Sequence, residues 1–405
     1  MSGHPDVVVV GAGLAAASAV AELRAQGHEG SIVVVGEEPH PPYERPPLSK
    51  GLLLGSATPD DALVHPREWY DEHDVDLRVG TAATALDLAR RRVVLGGGEL
   101  SYDRLLLATG AAPRHLGMAD ASGAPVLHLR TLDDAVVLRD RIAAGARVAV
   151  IGAGWIGLEV ASAARQRGAE VTVLESAALP LQRVLGDELA TVFADLHREH
   201  GVDLRLGVSV AGVEHDGGRA VVRVEGSEPV VADLLLVAVG VTPNDALAAA
   251  AGLAVDDGVL VDARLRTSDP HVFAAGDVAR HDHPALGSRI RVEHWDAALH
   301  QGRHAARAML GTEEPYTRLP FFFTDQYDLG MEYVGHAAAY DEIVVRGDLG
   351  ARHASVLWLS ADRVVAGMHL NDWDAIEPLR AVVGGPATDA VRDPSVPLAD
   401  LAGGR

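Results

Sequence analysis

The chain has no cysteine and only one lysine, Lys50, among its 405 residues. The lack of cysteine excludes disulfides, thiolate metal sites, iron–sulfur clusters ligated by the protein and any CxxC redox pair. No apolar run approaches the ~20 residues that span a bilayer, which argues against a membrane partner. The net charge of −22 at pH 7 argues against nucleic acid as a partner. The first apolar segment begins after Asp6 and leaves no room for a signal peptide, so we expect a cytoplasmic protein.

The single lysine is a functional candidate. Every other fixed cation is arginine, and codon usage explains that scarcity. Codon usage does not explain why one lysine is retained. Lysine differs from arginine because its ammonium is a compact charge with three rotatable donors.

The segment DVVVVGAGLAA, residues 6–16, predicts a buried strand, a tight turn and a helix that runs to about Ala25. Gly11, Gly13 and Ala16 have the spacing of a dinucleotide-binding turn, in which a pyrophosphate meets the helix N-terminus. A second strand is expected at residues 31–35. Glu37, which follows it, is placed to accept hydrogen bonds from the hydroxyls of a ribose.

The same pattern returns at residue 147, where VAVIGAGWIGLEVASAARQRG predicts a strand, a turn and a helix. Gly152, Gly154 and Gly157 form the second fingerprint, and the strand at 170–174 ends in Glu175. Two complete fingerprints predict that one chain binds two dinucleotides. No arginine closely follows Glu175, and its carboxylate would repel a 2′-phosphate, so the second site is expected to prefer NADH to NADPH.

Other segments leave alternatives open. The proline-dense residues 39–49 are expected to be extended or turning, either as an ordinary surface loop or to hold Arg45 and Lys50 rigidly. Further strands are expected at 76–79, 91–95 and 234–239, and residues 102–110 are expected to form a strand that runs into a Thr-Gly turn. Alternating strands with a short final helix are expected after Leu319. Asp277 either binds a polyol chain or caps a following helix. Among the clustered histidines only His300 and His304 have helical spacing, and we expect no metal.

Taken together, these residues resemble the FAD-dependent ferredoxin reductases of the pyridine nucleotide-disulfide oxidoreductase superfamily. This type includes putidaredoxin reductase and the reductases of Rieske dioxygenases. The resemblance covers essentially the whole chain. Its motifs are ERPPLSK (44–50), LLLATGAAPR (105–114), GAGWIGLE (152–159), VGVTPN (239–244), VFAAGDVA (272–279), VEHWDAALHQG (292–302) and FFTDQYDLGMEYVG (322–335).

The resemblance implies an α/β fold with two Rossmann-like, glutathione-reductase-like domains and a small α+β C-terminal domain. The FAD domain would comprise residues 1–113 and 240–318, the NAD domain 114–239 and the C-terminal domain 319–405. Lys50 and Glu159 would form a catalytic pair beside the flavin, although Glu159 by itself reads as an ordinary acid complementing a helix dipole.

The resemblance also implies the cofactor-binding residues. For FAD these are Gly11, Gly13, Leu14, Ala15, Glu37, Arg45, Lys50, Ala82, Ala108, Thr109, Gly110, Arg130, Gly276, Asp277, Glu293, His294 and Trp295. For NAD they are Gly152, Gly154, Trp155, Ile156, Gly157, Glu159, Glu175, Arg183 and Gly240.

The implied activity is transfer of electrons from NADH through FAD to a [2Fe–2S] or [3Fe–4S] ferredoxin, and through it to a P450 or Rieske oxygenase, by a monomer or homodimer. Two features depart from the family. Phe321, Phe322 and Phe323 stand where members often carry tryptophan, and the C-terminal domain is acidic although a face for an acidic ferredoxin should be basic. Arg289, Arg291, Arg303 and Arg307 are the candidate basic patch. The alternatives are a small-molecule acceptor (a quinone, oxygen or an organic substrate) and an NADH-sensing protein of the apoptosis-inducing-factor type.

Overall fold

The computed structural model describes residues 6–401 and divides the chain into two compact units. The first unit comprises Met1–Glu44, Pro59–Ala112 and Val241–Pro320. The second comprises Arg45–Thr58, Pro113–Gly240 and Phe321–Arg405. Within residues 6–401, no helix is both long enough and apolar enough to cross a membrane.

The strands are numbered in chain order. They are β1 Val7–Val10, β2 Ile32–Val35, β3 Val75–Arg78, β4 Ala83–Asp87, β5 Arg92–Leu95, β6 Gly98–Ser101, β7 Arg104–Leu107, β8 Ala111–Pro113, β9 Val126–Leu127, β10 Arg147–Ile151, β11 Glu170–Glu175, β12 Asp203–Leu206, β13 Val210–Asp216, β14 Arg219–Val224, β15 Val230–Ala232, β16 Leu234–Val237, β17 Val241–Pro243, β18 Val259–Val261, β19 Val272–Ala274, β20 Ala279–His283, β21 Ser288–Arg291, β22 Phe321–Gln326, β23 Leu329–Gly335, β24 Glu342–Asp348, β25 His353–Ser360 and β26 Arg363–Leu370.

The helices follow the same rule. They are α1 Leu14–Ala25, α2 Pro46–Ser49, α3 Gly51–Leu54, α4 Arg67–Glu72, α5 Gly117–Asp120, α6 Leu132–Arg141, α7 Trp155–Gln166, α8 Gln182–Leu185, α9 Asp187–Glu199, α10 Ala246–Ala250, α11 Trp295–Met309, α12 Ile376–Val382, α13 Asp389–Arg392 and α14 Leu398–Leu401.

The first unit is built on a parallel sheet in the order β19-β7-β1-β2-β3. The four valines of β1 are buried, as expected for a central strand covered on both faces. Helices α1 and α11 pack closely together. Gly302 allows this close approach, because a side chain at that position would overlap the backbone carbonyl of Ala15. This unit also contains two three-stranded sheets, β4-β5-β6 and β18-β20-β21.

The second unit contains a parallel sheet in the order β12-β11-β10-β16-β9 and an antiparallel sheet in the order β22-β23-β26-β25-β24. The two share one hydrophobic core. Phe193 of α9 and Leu158 of α7 belong to the same buried cluster as Met331 of β23 and Trp358 of β25. The C-terminal sheet is therefore integrated with the second fingerprint helix, and β22 lies against α7.

Most of the predicted elements agree with the structure to within one or two residues, and the structure differs from the predictions in three local details. The proline-dense segment is not extended throughout: Pro46–Ser49 is helical, because proline is tolerated in the first turn of a helix, where its missing N–H is not needed. Asp277 lies within a single 3₁₀ turn, Gly276–Val278, and strand β20 follows directly, so no α-helix begins after Asp277 for it to cap. Three short helices, not one, follow β26 within residues 6–401.

Candidate active site

The first fingerprint turn requires glycine at its first position. Gly11 has a φ of +108°, and a side chain there would overlap the carbonyl oxygen of Ala108. Its N–H donates to the carbonyl of Val35 at 2.8 Å, which ties the turn to β2. The turn therefore depends on a residue without a Cβ.

The space beside the next glycine is open. Gly13 is the N-cap of α1, no side chain caps that helix, and no atom lies within 4 Å of where a Cβ at Gly13 would stand. A helix start with uncapped amides and an open approach suits an anion such as a pyrophosphate. Glu37 is exposed two residues beyond β2. On these observations, the residues of the first unit fit the adenosine diphosphate part of FAD.

The other residues assigned to FAD fall in two places. In the first unit, Thr109 donates its hydroxyl proton to the carbonyl of Asn244, whose amide donates back to the carbonyl of Thr109, both at 2.8 Å. The N–H of Gly276 donates to the buried amide of Gln301 at 2.9 Å. The first unit also holds Leu14, Ala15, Ala82, Ala108, Gly110, Asp277, Glu293, His294 and Trp295, and the second holds Arg45, Lys50 and Arg130.

Two arginines assigned to FAD contact each other within the second unit. The guanidinium of Arg45 donates to the backbone carbonyl of Arg130. Arg130 immediately precedes Thr131, which begins α6 with a reciprocal capping box involving Asp134. The position of Arg45 is therefore fixed by a rigid helix start.

The second fingerprint repeats the geometry of the first. Gly152 has a φ of +103°, and a side chain there would overlap the carbonyl of Ala238. A side chain at Gly157 would overlap the carbonyl of Gly152. A side chain at Gly154, in contrast, would meet no other segment of the chain within 4 Å of its Cβ. Beside this opening the side chain of Ile156 is 42% exposed.

The carboxylate of Glu175 lies against the second fingerprint turn. Its Oε2 accepts the N–H of Ala153 at 2.7 Å, and its Oε1 accepts the N–H of Ala177 at 2.8 Å. These bonds hold the acid at the C-terminal end of β11, where an adenosine ribose is bound in folds of this type. Arg183 is exposed on α8, and Gly240 accepts the N–H of Arg114 at 2.9 Å.

A charged pair lies at the start of α7. Lys50 Nζ donates to Glu159 Oε1 at 2.8 Å, and the side chains are 19% and 5% exposed respectively. The ammonium also lies 5.6 Å from the ring centroid of Phe323, a cation–π distance. We call these two residues the Lys50–Glu159 pair. They form a nearly buried ion pair and not a salt bridge on the solvated surface.

Two hydroxyl groups hold the carboxylate of this pair. Thr324 Oγ1 donates to Glu159 Oε1 at 2.6 Å, and the hydroxyl of Ser49 donates to Glu159 Oε2. Hydrogen bonds to a charged acceptor are stronger than neutral ones and offset the cost of burying it. Helix α2, helix α7 and strand β22 therefore each contribute a side chain to one site.

The hydrogen bonds continue from Thr324 into the core. Gln326 Nε2 donates to Thr324 Oγ1 at 3.2 Å, and Gln326 Oε1 lies 2.8 Å from Nε2 of the fully buried His197. A carbonyl oxygen can only accept, so His197 carries a proton on Nε2. The sequence reasoning missed Thr324, Gln326 and His197.

A pattern in the sequence could have indicated two of these residues. Alternate residues of a strand share a face, and β22 turns Phe322, Thr324 and Gln326 in one direction. On that face Phe322 packs against Trp155, with ring centroids 5.0 Å apart. Thr324 and Gln326 in FFTDQYD thus share a strand face with Phe322, an aromatic residue that contacts the second fingerprint helix.

We expect that replacing Thr324 with valine lowers the free energy of unfolding by about 1–3 kcal/mol, because a buried carboxylate loses a donor. The change should also alter the environment of Lys50. Lysine labelled with ¹³C at the ε position gives one side-chain resonance, since the chain has one lysine. That resonance should shift in Thr324→Val and remain in place in Thr324→Ser. Identical spectra for all three proteins would contradict the assigned contact.

His197 makes the stability of the second unit sensitive to acid. Burial lowers the pKa of His197 to about 4, whereas an unfolded histidine has a pKa near 6.5. Between these values the unfolded chain binds a proton that the folded chain does not, so stability falls as the pH falls. From pH 7 to pH 5 this single group should cost about 2 kcal/mol.

Urea unfolding at several pH values tests this expectation. The His197→Gln variant should lose less stability on acidification than the native chain. The difference should correspond to the uptake of about one proton fewer on unfolding. The matched control is His353→Gln, which alters an exposed histidine at the start of β25 and should leave the pH dependence unchanged. Equal acid sensitivity in all three proteins would show that His197 titrates normally.

The comparisons with known proteins cover nearly the whole chain. A family model described as pyridine nucleotide-disulphide oxidoreductase matches residues 5–302, and one described as reductase C-terminal matches residues 321–402. The ferredoxin--NAD(+) reductase component of the anthranilate 1,2-dioxygenase system of Burkholderia cepacia is 40% identical over 98% of this chain and 99% of that protein. Putidaredoxin reductase of Pseudomonas putida is 39% identical over 90% of this chain and 88% of that protein.

Solved structures agree with these similarities. The crystal structure of the covalent putidaredoxin reductase–putidaredoxin complex matches with a TM-score of 0.94 and 38% identity, over 98% of both chains. The ferredoxin reductase of the CYP199A2 system of Rhodopseudomonas palustris matches with a TM-score of 0.93 and 35% identity, over 98% of this chain and 100% of that one. The predicted fold class is confirmed.

Proposed function

The chain belongs to the pyridine nucleotide-disulphide oxidoreductase family and carries the reductase C-terminal domain, and from that premise we propose that it is an NADH-dependent ferredoxin reductase. The observation that carries the proposal is the extent of the likeness. Relatives matched over 98% and 90% of the chain are a ferredoxin--NAD(+) reductase component and a putidaredoxin reductase. The electrons would pass to a small iron–sulfur protein that serves a P450 or Rieske oxygenase.

The cofactors are FAD and NADH. When bound, FAD supplies the redox chemistry, since it accepts two electrons from a nicotinamide and returns them one at a time. The chain itself binds and orients. The start of α1 and Glu37 would hold the adenosine diphosphate part of FAD, and the start of α7 with Glu175 would hold that of NADH.

For NADH we propose the set that the second unit carries around its fingerprint: Gly152, Gly154, Trp155, Ile156, Gly157, Glu159, Glu175, Arg183 and Gly240. The Lys50–Glu159 pair would provide a fixed positive charge for flavin reduction, with Glu159 orienting the ammonium. The assignment of Arg45, Lys50 and Arg130 to FAD stays a prediction from the family resemblance.

The domain boundaries are part of the proposal. We propose an FAD domain at 1–113 and 240–318, an NAD domain at 114–239 and a C-terminal domain from 319. Two separate parallel sheets support this proposal, because the strands of the sheet with the first fingerprint fall in 1–113 and 240–318 and those of the other sheet fall in 114–239. We also propose that the protein works in the cytoplasm, where NADH is supplied; fractionation of cells of the source organism tests this.

Glu175 should determine the nicotinamide preference. We expect Glu175→Gln to lower kcat/KM for NADH about tenfold, because one charge-assisted hydrogen bond to the ribose is lost. The preference for NADH over NADPH should decrease, since the carboxylate no longer repels a 2′-phosphate. Steady-state kinetics with both nucleotides measure this preference as the ratio of kcat/KM for NADH to kcat/KM for NADPH. Glu170→Gln, an exposed acid at the start of the same strand, is the control, and an unchanged ratio in Glu175→Gln would remove the assignment.

A small-molecule acceptor is the second candidate, and a finding on surface charge favours it. Three of the four arginines of the candidate basic patch are paired with carboxylates: Arg289 with Asp282, Arg291 with Asp257 and Glu293, and Arg307 with Glu22. Their charge is thus locally neutralised, which weakens the case for this patch as a basic docking face.

Reoxidation kinetics separate the two candidates. The protein is reduced anaerobically with one equivalent of NADH and mixed in a stopped-flow instrument with a ferredoxin, a benzoquinone or oxygen. A ferredoxin reductase should be reoxidised fastest by at least one ferredoxin of a matching panel. Faster reoxidation by the quinone or by oxygen than by every ferredoxin would favour the second candidate.

A further inference from the structure

A cluster of two histidines and one aspartate lies in the second unit, outside the residues assigned to either dinucleotide. His115 precedes helix α5, Asp120 ends that helix, and His128 follows strand β9. Nitrogen and oxygen atoms of the three side chains all lie within 4.8 Å of one another. Across residues 6–401, this is the one group of at least three histidine or acidic side chains with that spacing.

The distances fit hydrogen bonds between the three side chains, and they also fit a shared metal ion. His115 Nδ1 lies 3.2 Å from Asp120 Oδ2, and His128 Nε2 lies 3.2 Å from Asp120 Oδ1. Hydrogen bonds from nitrogen to oxygen span about 2.7–3.2 Å, so both separations lie at the long end of that range. Two ligand atoms on a tetrahedral Zn²⁺, each about 2.0–2.1 Å from the ion, lie about 3.3 Å apart.

The orientation of the groups is also that of a ligand set. The carboxylate presents a different oxygen to each imidazole, and the two rings are tilted with centroids 4.5 Å apart. One ion between them would be within reach of both rings and the carboxylate, whose ligand atoms lie within 4.8 Å of one another. The side chains of His115 and Asp120 are 66% and 33% exposed, so an ion and its remaining water ligands can enter from solvent.

The donor set selects the class of ion. Two imidazole nitrogens and one carboxylate favour Zn²⁺, Ni²⁺, Co²⁺ or Cu²⁺ over Mg²⁺ and Ca²⁺, which prefer oxygen ligands. We propose that His115, Asp120 and His128 form a site for one borderline transition-metal dication, with Zn²⁺ as its natural probe. The proposal departs from the sequence-based expectation of no metal, which rested on helical spacing and on how common surface histidines are; these residues are five and eight positions apart.

The site is independent of the proposed redox activity, and its effect would be local. The ion would join the end of α5 to the residue after β9, the edge strand that pairs with β16. His128 lies two residues before Arg130, whose carbonyl accepts the guanidinium of Arg45. A bound ion would therefore stiffen the segment that leads into α6.

Calorimetric titration with ZnCl₂ tests the proposal on the full-length, flavin-loaded protein, freed of any histidine tag and treated with a chelator. The native chain should bind one equivalent through this site. His115→Gln and Asp120→Asn should each weaken that binding at least about tenfold, since a direct ligand is worth no less than an outer-shell partner. His115 is largely exposed, so its replacement should not disturb folding, which circular dichroism checks.

The control is His353→Gln, which removes an exposed histidine elsewhere in the second unit and should bind Zn²⁺ as the native chain does. Two outcomes would overturn the site: no one-to-one binding by the native chain, or equal binding by all four proteins. Neither outcome bears on NADH oxidation, which is measured separately.

Discussion

Replacing Lys50 with methionine should slow NADH-driven flavin reduction about 100-fold while the protein remains folded. The reason is electrostatic. Lys50 supplies the positive charge of the Lys50–Glu159 pair, and methionine removes the charge while keeping a flexible side chain of similar length. The measurement is anaerobic stopped-flow reduction of the flavin by NADH, monitored at the flavin absorbance.

The controls separate charge from packing. Lys50→Met leaves a carboxylate that is only 5% exposed without its cation, which by itself destabilises the fold. The double variant Lys50→Met with Glu159→Gln removes that unpaired charge, and should recover stability without recovering the rate. Native reduction kinetics in Lys50→Met would remove Lys50 from the site.

Replacing Gly11 with alanine should abolish the flavin-binding turn, with a loss of more than about 4 kcal/mol or failure to fold. The added Cβ would overlap the Ala108 carbonyl, and the φ of +108° disfavours any residue with a Cβ. Expression yield, retained flavin and the urea midpoint measure the effect.

Gly13→Ala is the matched variant two residues away. Its Cβ meets no protein atom within 4 Å, so the apoprotein should be as stable as the native one. We propose that the pyrophosphate of FAD occupies this open space, and the methyl group should therefore weaken FAD binding. Native FAD affinity in Gly13→Ala would mean that the pyrophosphate does not approach this turn.

The sequence predicted both fingerprints because they are local. The strand, turn and helix around Gly11 and Gly152 lie within some twenty residues each, and close packing allows only glycine at those two positions. The α/β class and the two dinucleotide sites follow from these segments. The pairing of Lys50 with Glu159 came from the family resemblance, since no spacing rule joins residues so far apart in the chain.

The remaining features depend on contacts between distant segments. Thr324 contacts a residue 165 positions away, and Gln326 contacts one 129 positions away. The proposed metal-binding cluster has no signature in the sequence, because its three residues fall on a short helix and its flanking segments with no repeating period. The short helix at Pro46–Ser49 is not predicted by the sequence rule that prolines disfavour helices, because that rule does not apply to the first helical turn, where proline is accepted.

One measurement tests the central claim most directly: NADH-driven cytochrome c reduction by the purified yellow protein, with and without each member of a panel of [2Fe–2S] and [3Fe–4S] ferredoxins. A ferredoxin reductase should give a large stimulation with at least one ferredoxin, and the stimulation should fall as salt screens the charges of the docking surfaces. Rapid flavin reduction by NADH without stimulation by any ferredoxin would contradict the account and point to a small-molecule acceptor.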